Sequence, residues 1–325
     1  MQVRKFVDLF AGCGGLSLGL SLAGMRGLFA IERDGMAFET FSANFVQSSA
    51  PPAHRFKWPR WLRQQAWGID DLLAEHKGDL EKLRGQVDIL AGGPPCQGFS
   101  FAGLRVEDDP RNQLFNKYVE VVAAIQPSAL ILENVPGMQV AHRRANVVDL
   151  PVGPQPRRQS FYEKLAESLD AEGYLVKAML VDASRFGVPQ RRSRLIAIGI
   201  RKDLVEWLDD GIGRVFDLIE ASRLQQLADM GLGDVVTASD AISDLEIGSG
   251  PLVECIDAES ARGFQEAFAR PPATTYQRLM REDASGQPNS MRLARHREDL
   301  RERFARILAE CRRGVRMDDN ARRSY

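Results

Sequence analysis

The opening of this chain limits most strongly what it can fold into. "KFVDLF" (5–10) is a short strand-like run that stops at Ala11-Gly12-Cys13-Gly14-Gly15. "LSLGLSLAG" (16–24) then carries helical spacing and ends at Gly24. "GLFAIE" (27–32) and "MAFETFSANF" (36–45) repeat the strand–helix pair. That order builds a parallel sheet with crossover helices. It continues with a strand at "QVDILAGG" (86–93), a helix at "NQLFNKYVEVVAAI" (112–125), a strand at "SALILENV" (128–135) and a helix at "FYEKLAESLDAEG" (161–173). "YLVKAMLVD" (174–182) and "RLIAIGI" (194–200) follow with only a loop between them, which predicts an antiparallel pair at the end of the sheet. The expected fold is α/β: a doubly wound, mostly parallel sheet over residues 1–200. Three stretches break the rhythm: an insertion at 48–61, a Pro- and Arg-containing loop at 141–159, and everything past Arg201. Residues 201–325 are read as a second, mixed region with an Arg-rich helix near 292–313.

Composition narrows the setting. The chain has 325 residues, 44% hydrophobic and 27% charged, enough for a large buried core. Net charge is −1, but 261–325 holds fifteen Arg, no Lys and nine acidic residues, which points to a polyanionic partner or a solvated helix face. Cys13, Cys96, Cys255 and Cys311 are dispersed, with no CxxC pair, so neither a zinc site nor a disulfide framework is expected. The N-terminus does not read as a signal peptide, and no apolar run approaches the roughly 18 residues of a membrane span. A reduced, soluble, intracellular protein is expected.

Four motifs fall at the carboxyl ends of strands, where doubly wound folds bind ligands. The first is the glycine turn: glycines admit close backbone approach, and the following helix offers free N–H groups. Its spacing is not GxGxxG. Glu32, ending the second strand, is placed to accept from ribose hydroxyls. An adenosyl cofactor without pyrophosphate fits, namely S-adenosylmethionine. The second is "GGPPCQGFS" (92–100), where two prolines stiffen the approach to Cys96 and Gly98 and Gly103 bracket a loop able to move. The third is "ILENV", with Glu133 as a proton donor and Asn134 expected to hold the turn. The fourth is "VPQRRSRLIAIG", where one of Arg192 and Arg194 is expected to face the site and the other to meet solvent or phosphate. Each has a plainer alternative: a tight turn, a buried thiol, a solvent-facing carboxylate, a charged strand edge. Together they define one chemistry. Cytosine C5 is a poor nucleophile until a thiolate adds at C6, and an acid at N3 with a cation at O2 stabilises the charge that develops.

These motifs resemble those of the DNA (cytosine-5) methyltransferases. The resemblance is carried, in family order, by "DLFAGCGG", Glu32, "GGPPCQGFS", "RNQLF" (111–115), "ENV" (133–135) and "QRRSR" (190–194), over roughly residues 3 to 200. It implies Cys96 as nucleophile, Glu133 as N3 proton donor, and Arg192 and Arg194 as the active-site arginines, with Arg194 on cytosine O2. It implies a cofactor site formed by Asp8, Phe10, Ala11, Gly12, Gly14, Gly15, Leu16, Glu32 and Arg33, with Pro94 packed nearby. Leu16 stands where the family often has an adenine-stacking aromatic, and Asp70 is the nearest match to its acidic adenine contact. Gln97 and Ser100 open the loop that closes over flipped DNA. "ASDAISDL" (238–245) and "PPATTYQRLMR" (271–281) resemble the linker that follows the catalytic core. The family's "QxFPD"-like and C-terminal "GN" motifs are not found before Tyr325, so the reading is of a catalytic core with an incomplete target-recognition region.

The implied activity is methylation of cytosine in double-stranded DNA by base flipping, yielding S-adenosylhomocysteine and using no metal. The compact N-terminus leans towards a bacterial or phage protein of the cytoplasm and nucleoid, in a restriction–modification or similar role. Three alternatives are carried. The tRNA-directed branch shares Cys, Glu and Arg, but "CQGFS" favours the DNA branch. A DNA-binding fragment or half of a split enzyme would need a partner chain for the absent motifs. A zinc deaminase would need HxE and PCxxC, and position 99 is Phe.

Overall fold

The computed structural model describes residues 3–95, 114–140, 159–206, 208, 211–247, 251–255, 263–282, 288 and 291–310. The chain divides into two compact units, Met1–Asp229 and Met230–Tyr325.

In the first unit, β1 (Lys5–Leu9), α1 (Gly15–Leu22), β2 (Arg26–Ile31) and α2 (Gly35–Phe45) follow the expected alternation. α3 (Ile69–Glu81), β3 (Ile89–Gly92), α4 (Leu114–Ile125), β4 (Ala129–Asn134), α5 (Phe161–Ala171), β5 (Tyr174–Asp182), β6 (Ser193–Arg201), α6 (Lys202–Val205) and α7 (Gly213–Asp229) complete it. The six strands lie in the order β2-β1-β3-β4-β6-β5. β1 pairs in parallel with β2 and β3, and β3 with β4; β6 runs antiparallel between β4 and β5. The expected antiparallel pair is therefore present. Leu9 stands opposite Ile31 and Gly92, Gly92 opposite Leu132, and Asn134 opposite Leu195. The carboxyl ends of β1–β4 and the amino end of β6 thus share one edge.

Strand alternation sorts the core into two layers. Phe6, Ala30 and Ala91 pack with Leu20, Phe38, Phe41 and Phe45 of α1 and α2. Val7, Leu9, Phe29, Ile31, Leu90 and Leu130 pack with residues of α3, α4 and α5, among them Leu72, Tyr118 and Leu169. Each large apolar side chain so buried stabilises the fold by about 1.5–3 kcal/mol. α5 starts at a capping box: the Ser160 hydroxyl accepts from Glu163 N–H (3.2 Å) and the Glu163 carboxylate from Ser160 N–H (2.6 Å). The insertion at 48–61 has no regular structure, yet it covers an edge. Lys57 N–H donates to Gly27 O of β2, an edge strand of the sheet, at 2.8 Å. Phe56 lies over Gly27 so closely that a Cβ there would come within 2.3 Å of its ring.

The second unit carries α8 (Ala238–Ile242), β7 (Val253–Glu254), β8 (Phe264–Glu266), α9 (Thr275–Met280), β9 (Arg292–Ala294) and α10 (Glu298–Glu310). Its three strands form an antiparallel sheet in the order β7-β8-β9. Thr237 and Thr274 cap α8 and α9, and Arg281 pairs with the buried Asp244. The helix expected near 292–313 is corrected here: it starts at Glu298, and Arg292–Ala294 is a strand. α3 and α7 lie in stretches where the sequence pattern predicts no helix. Among the described residues no helix is long and apolar enough to cross a membrane.

Candidate active site

The glycine turn leaves β1 at the switch point of the sheet, where β1 lies between β2 and β3. Phe10 and Gly12 take left-handed conformations (φ 59° and 55°), folding the chain back towards β2. There Glu32 gathers the turn. Its Oε2 accepts from Gly12 N–H (2.9 Å) and its Oε1 from Asp34 N–H (2.8 Å). Asp34 in turn caps α2 by accepting from Ala37 N–H (2.8 Å). Gly14 has φ 96°, and a Cβ on it would strike the Phe45 ring at 2.3 Å, so α2 packs directly on the turn. Gly12 and Gly15, by contrast, face open space: a Cβ on either meets nothing within 4 Å. The first N–H groups of α1, at Gly15 and Leu16, have no helical acceptor.

Asp8 supports this turn from beneath and does not line its open side. It is 1% exposed, and its Oδ2 accepts from the Ser17 hydroxyl at 2.6 Å. Gly14, the N-cap of α1, has no side chain to give, so Asp8 serves as the cap from a neighbouring strand. Burial pushes the Asp8 carboxyl up to about 6, against the lowering effect of its bonds to Ser17. Phe10, Ala11 and Leu16 are half-buried, and Arg33 is exposed just after Glu32. Asp70 is exposed in the first turn of α3, 3.8 Å from Lys117 Nζ.

The second half of the site forms across β3, β4 and β6. Pro94 is buried just beyond β3, and Asn134 Nδ2 donates to its carbonyl at 3.2 Å. Asn134 Oδ1 also accepts from Val135 N–H (2.8 Å), so one buried amide fixes the exits of two adjacent strands. Glu133 lies against Gly93, where a Cβ would come within 3.3 Å of its Oε2. Arg194 Nε is 2.5 Å from Glu133 Oε1. The contact is ionic: that buried N–H has no aligned acceptor among the described residues, while Nη1 donates to Ser193 O at 2.8 Å. Arg192 is exposed and lies outside the strand, which begins at Ser193, so strand alternation does not govern the pair. Cys96, Gln97 and Ser100 lie outside the described residues, as do 111–113 of "RNQLF". The described chain carries the path to Pro95, next to Cys96. The sequence motifs do not single out Ser17 or Asp182. Ser17 has a signal all the same: Phe6 and Asp8 share the face towards α1.

A glycine turn gathered by Glu32 and a carboxylate–guanidinium pair now stand at one sheet edge. The chain matches the C-5 cytosine-specific DNA methylase family over residues 4–247. The protein belongs to this family. It is similar to Type II methyltransferase M.DdeI of Desulfomicrobium norvegicum, at 31% identity over 303 residues, covering 93% of this chain and 60% of that one. It is similar to Type II methyltransferase M1.HphI of Haemophilus parahaemolyticus at 36% identity, covering 61% and 46%. Against Type II methyltransferase M.AgeI of Thalassovita gelatinovora it is 29% identical, covering 85% and 57%. The chain thus spans about half to three-fifths of the length of these curated relatives.

Proposed function

We propose that this protein methylates C5 of cytosine in double-stranded DNA, with S-adenosylmethionine as donor and Cys96 as covalent nucleophile. The observation that carries the reading is the meeting of Glu133 and Arg194 beside Gly93, on the stem that leads to Cys96.

The residues present fit the cofactor. Gly12 and Gly15 leave room, α1 offers its first N–H groups, and each Glu32 oxygen keeps a lone pair for a ribose hydroxyl. Gly12, Gly14, Gly15, Leu16 and Glu32 would hold it, with Phe10, Ala11, Arg33 and Pro94 around them and Asp70 further out. When bound it supplies a methyl group made electrophilic by a sulfonium.

The chain's own residues do the rest. The Cys96 thiolate forms a bond to C6 of a flipped cytosine, pushing the ring electrons towards C5 and N3. Glu133 holds a proton at N3, and Arg194 donates to O2, using guanidinium N–H groups left free by its ionic contact with Glu133. Once C5 carries the methyl group, its proton passes to water, the N3 proton returns to Glu133, and the sulfur leaves with the C6–S bonding pair, which restores the thiolate. Arg192 and the basic stretch 261–325 are proposed phosphate contacts, and Gln97 and Ser100 part of the closing loop.

A 5-fluorocytosine duplex tests the reading, because its C5 fluorine cannot leave as a proton does. With S-adenosylmethionine the protein should form a denaturant-resistant adduct that Cys96→Ser abolishes. Absence of that adduct overturns the covalent reading, and labelled methyl entering tRNA but not DNA overturns the substrate.

A further inference from the structure

The loop 183–192 joins β5 to β6, and Arg194 stands two residues past its end. A two-residue hairpin fixes strand register by its own geometry; a loop of this length does not. Register matters here, because a slip of one residue would turn Arg194 to the opposite face of the sheet, away from Glu133. The two ends of this loop are tied to each other directly.

Asp182, the last residue of β5, lies opposite Ser193, the first of β6. Its carboxylate collects donors from both ends of the loop. Oδ1 accepts from Ser184 N–H (3.0 Å), the Ser184 hydroxyl (2.8 Å) and Arg192 N–H (3.4 Å). Oδ2 accepts from the Ser193 hydroxyl (3.2 Å). Ala183 N–H closes the same base on Arg192 O (3.1 Å). Three donors converge on Oδ1 and the fourth on Oδ2, so one side chain links residues from both ends of the loop. Arg194 is bound into the same assembly: its Nη1 donates to the carbonyl of Ser193, whose hydroxyl Asp182 holds. Away from the base, the loop is moored on α7, where Arg185 pairs with Glu220 (2.5 Å) and Arg223 Nη1 donates to Arg185 O (3.2 Å).

We propose that Asp182 is a positioning residue for Arg194: by tying both ends of the loop 183–192 it fixes the start of β6 so that the guanidinium meets Glu133 and the target base. The proposal rests on the catalytic reading above for its effect on rate, but its structural half stands alone. In this reading Asp182 acts through Arg194 and not on the substrate or cofactor.

Two readouts separate the possibilities. The first is nitrogen-15 NMR of the arginine Nε–H signals, with that of Arg194 assigned by its loss in Arg194→Lys. In the wild type it should exchange slowly, and Asp182→Ala should speed its exchange at least about tenfold. The second is single-turnover methyl transfer at saturating DNA and S-adenosylmethionine. Asp182→Ala should slow it about 10- to 100-fold, as expected when a catalytic group is displaced by an ångström or so. Cofactor affinity should stay within about twofold, because the cofactor turn lies on other strands. Asp182→Asn, which keeps the shape and one acceptor, should fall between, and it carries the test if the alanine variant does not fold. Wild-type exchange and wild-type rate in Asp182→Asn and Asp182→Ala would overturn the proposal. If the wild type transfers no methyl group, the catalytic reading fails, and the Arg194 signal still decides whether Asp182 positions it.

Discussion

Asp8 is a carboxylate that water does not reach. Its hydrogen bonds to the Ser17 hydroxyl and backbone do not offset the desolvation of a full charge, so the acid form is favoured up to about pH 6. The sign of the consequence follows from linkage. In the unfolded chain the group loses its proton near 3.8, in the folded protein near 6, so between these values the native state binds more protons. Stability is therefore lost through this group as pH rises from about 4 to above 6, by about 3 kcal/mol in all. Asp8→Asn keeps an acceptor for Ser17 and removes the charge. Its stability relative to wild type should shift in its favour by roughly 3 kcal/mol between pH 4 and pH 7, measured by urea unfolding at both. A difference that does not change with pH would mean that Asp8 is not the buried acid described. At the other half of the site, Glu133→Gln keeps the side-chain shape and removes the proton that the proposed mechanism needs. Methyl transfer should fall by about 100-fold or more, with cofactor affinity unchanged by isothermal titration.

The elements explain why so much of this arrangement is legible in the sequence and where legibility ends. β1 to β6 are apolar runs bounded by turn residues, and a strand that feeds a glycine turn and a helix has few other folds open to it. Glu133 and Arg194 are readable because a parallel sheet puts the ends of its strands at one edge, and an antiparallel neighbour adds its beginning there. Asp8 is harder. An acid at the end of a strand looks the same in sequence whether it faces a ligand or a helix beneath, and only its shared face with Phe6 distinguishes the two. α3 hides its periodicity: Ile69, Leu72, Leu73 and Leu80 are its buried positions, but Gly78 interrupts the pattern and His76 bends the helix at φ −128°. α7 buries only Phe216 and Leu227 over seventeen residues, too little to stand out. The Arg-rich helix is expected too early because Arg292–Ala294 is polar for a strand and is held by pairing with β8. Where α1 meets α2 the packing makes its own prediction. Gly14→Ala adds a methyl group at φ 96° against the Phe45 and Phe41 rings. It should cost about 2–4 kcal/mol of stability and weaken S-adenosylhomocysteine binding, whereas Gly15→Ala, which meets open space, should leave urea stability nearly unchanged.

At the scale of the whole chain, the two units are built with unequal means. The first has two aromatic and aliphatic layers on either side of six strands. In the second, the buried apolar residues among those described are Val236, Cys255, Ala267 and Met291, and its order leans on capping boxes and the Arg281–Asp244 pair. A buried ion pair adds little net stability against the desolvation of its two charges, so it does not replace a core. Every residue proposed to hold the cofactor, Asp70 included, lies in the first unit. Hydrogen exchange should therefore divide along the chain. Amides of β1, β3 and β4 should exchange only on global opening, while those of β7, β8 and β9 should exchange through openings of lower free energy. S-adenosylhomocysteine at a hundredfold its dissociation constant should then add about 2.7 kcal/mol to the protection of the first group, by mass action on the folded state. Mass spectrometry of exchanged peptides reads both effects in one experiment. If the ligand left the protection of β1 and β3 unchanged, the cofactor site would not be where the glycine turn and Glu32 place it.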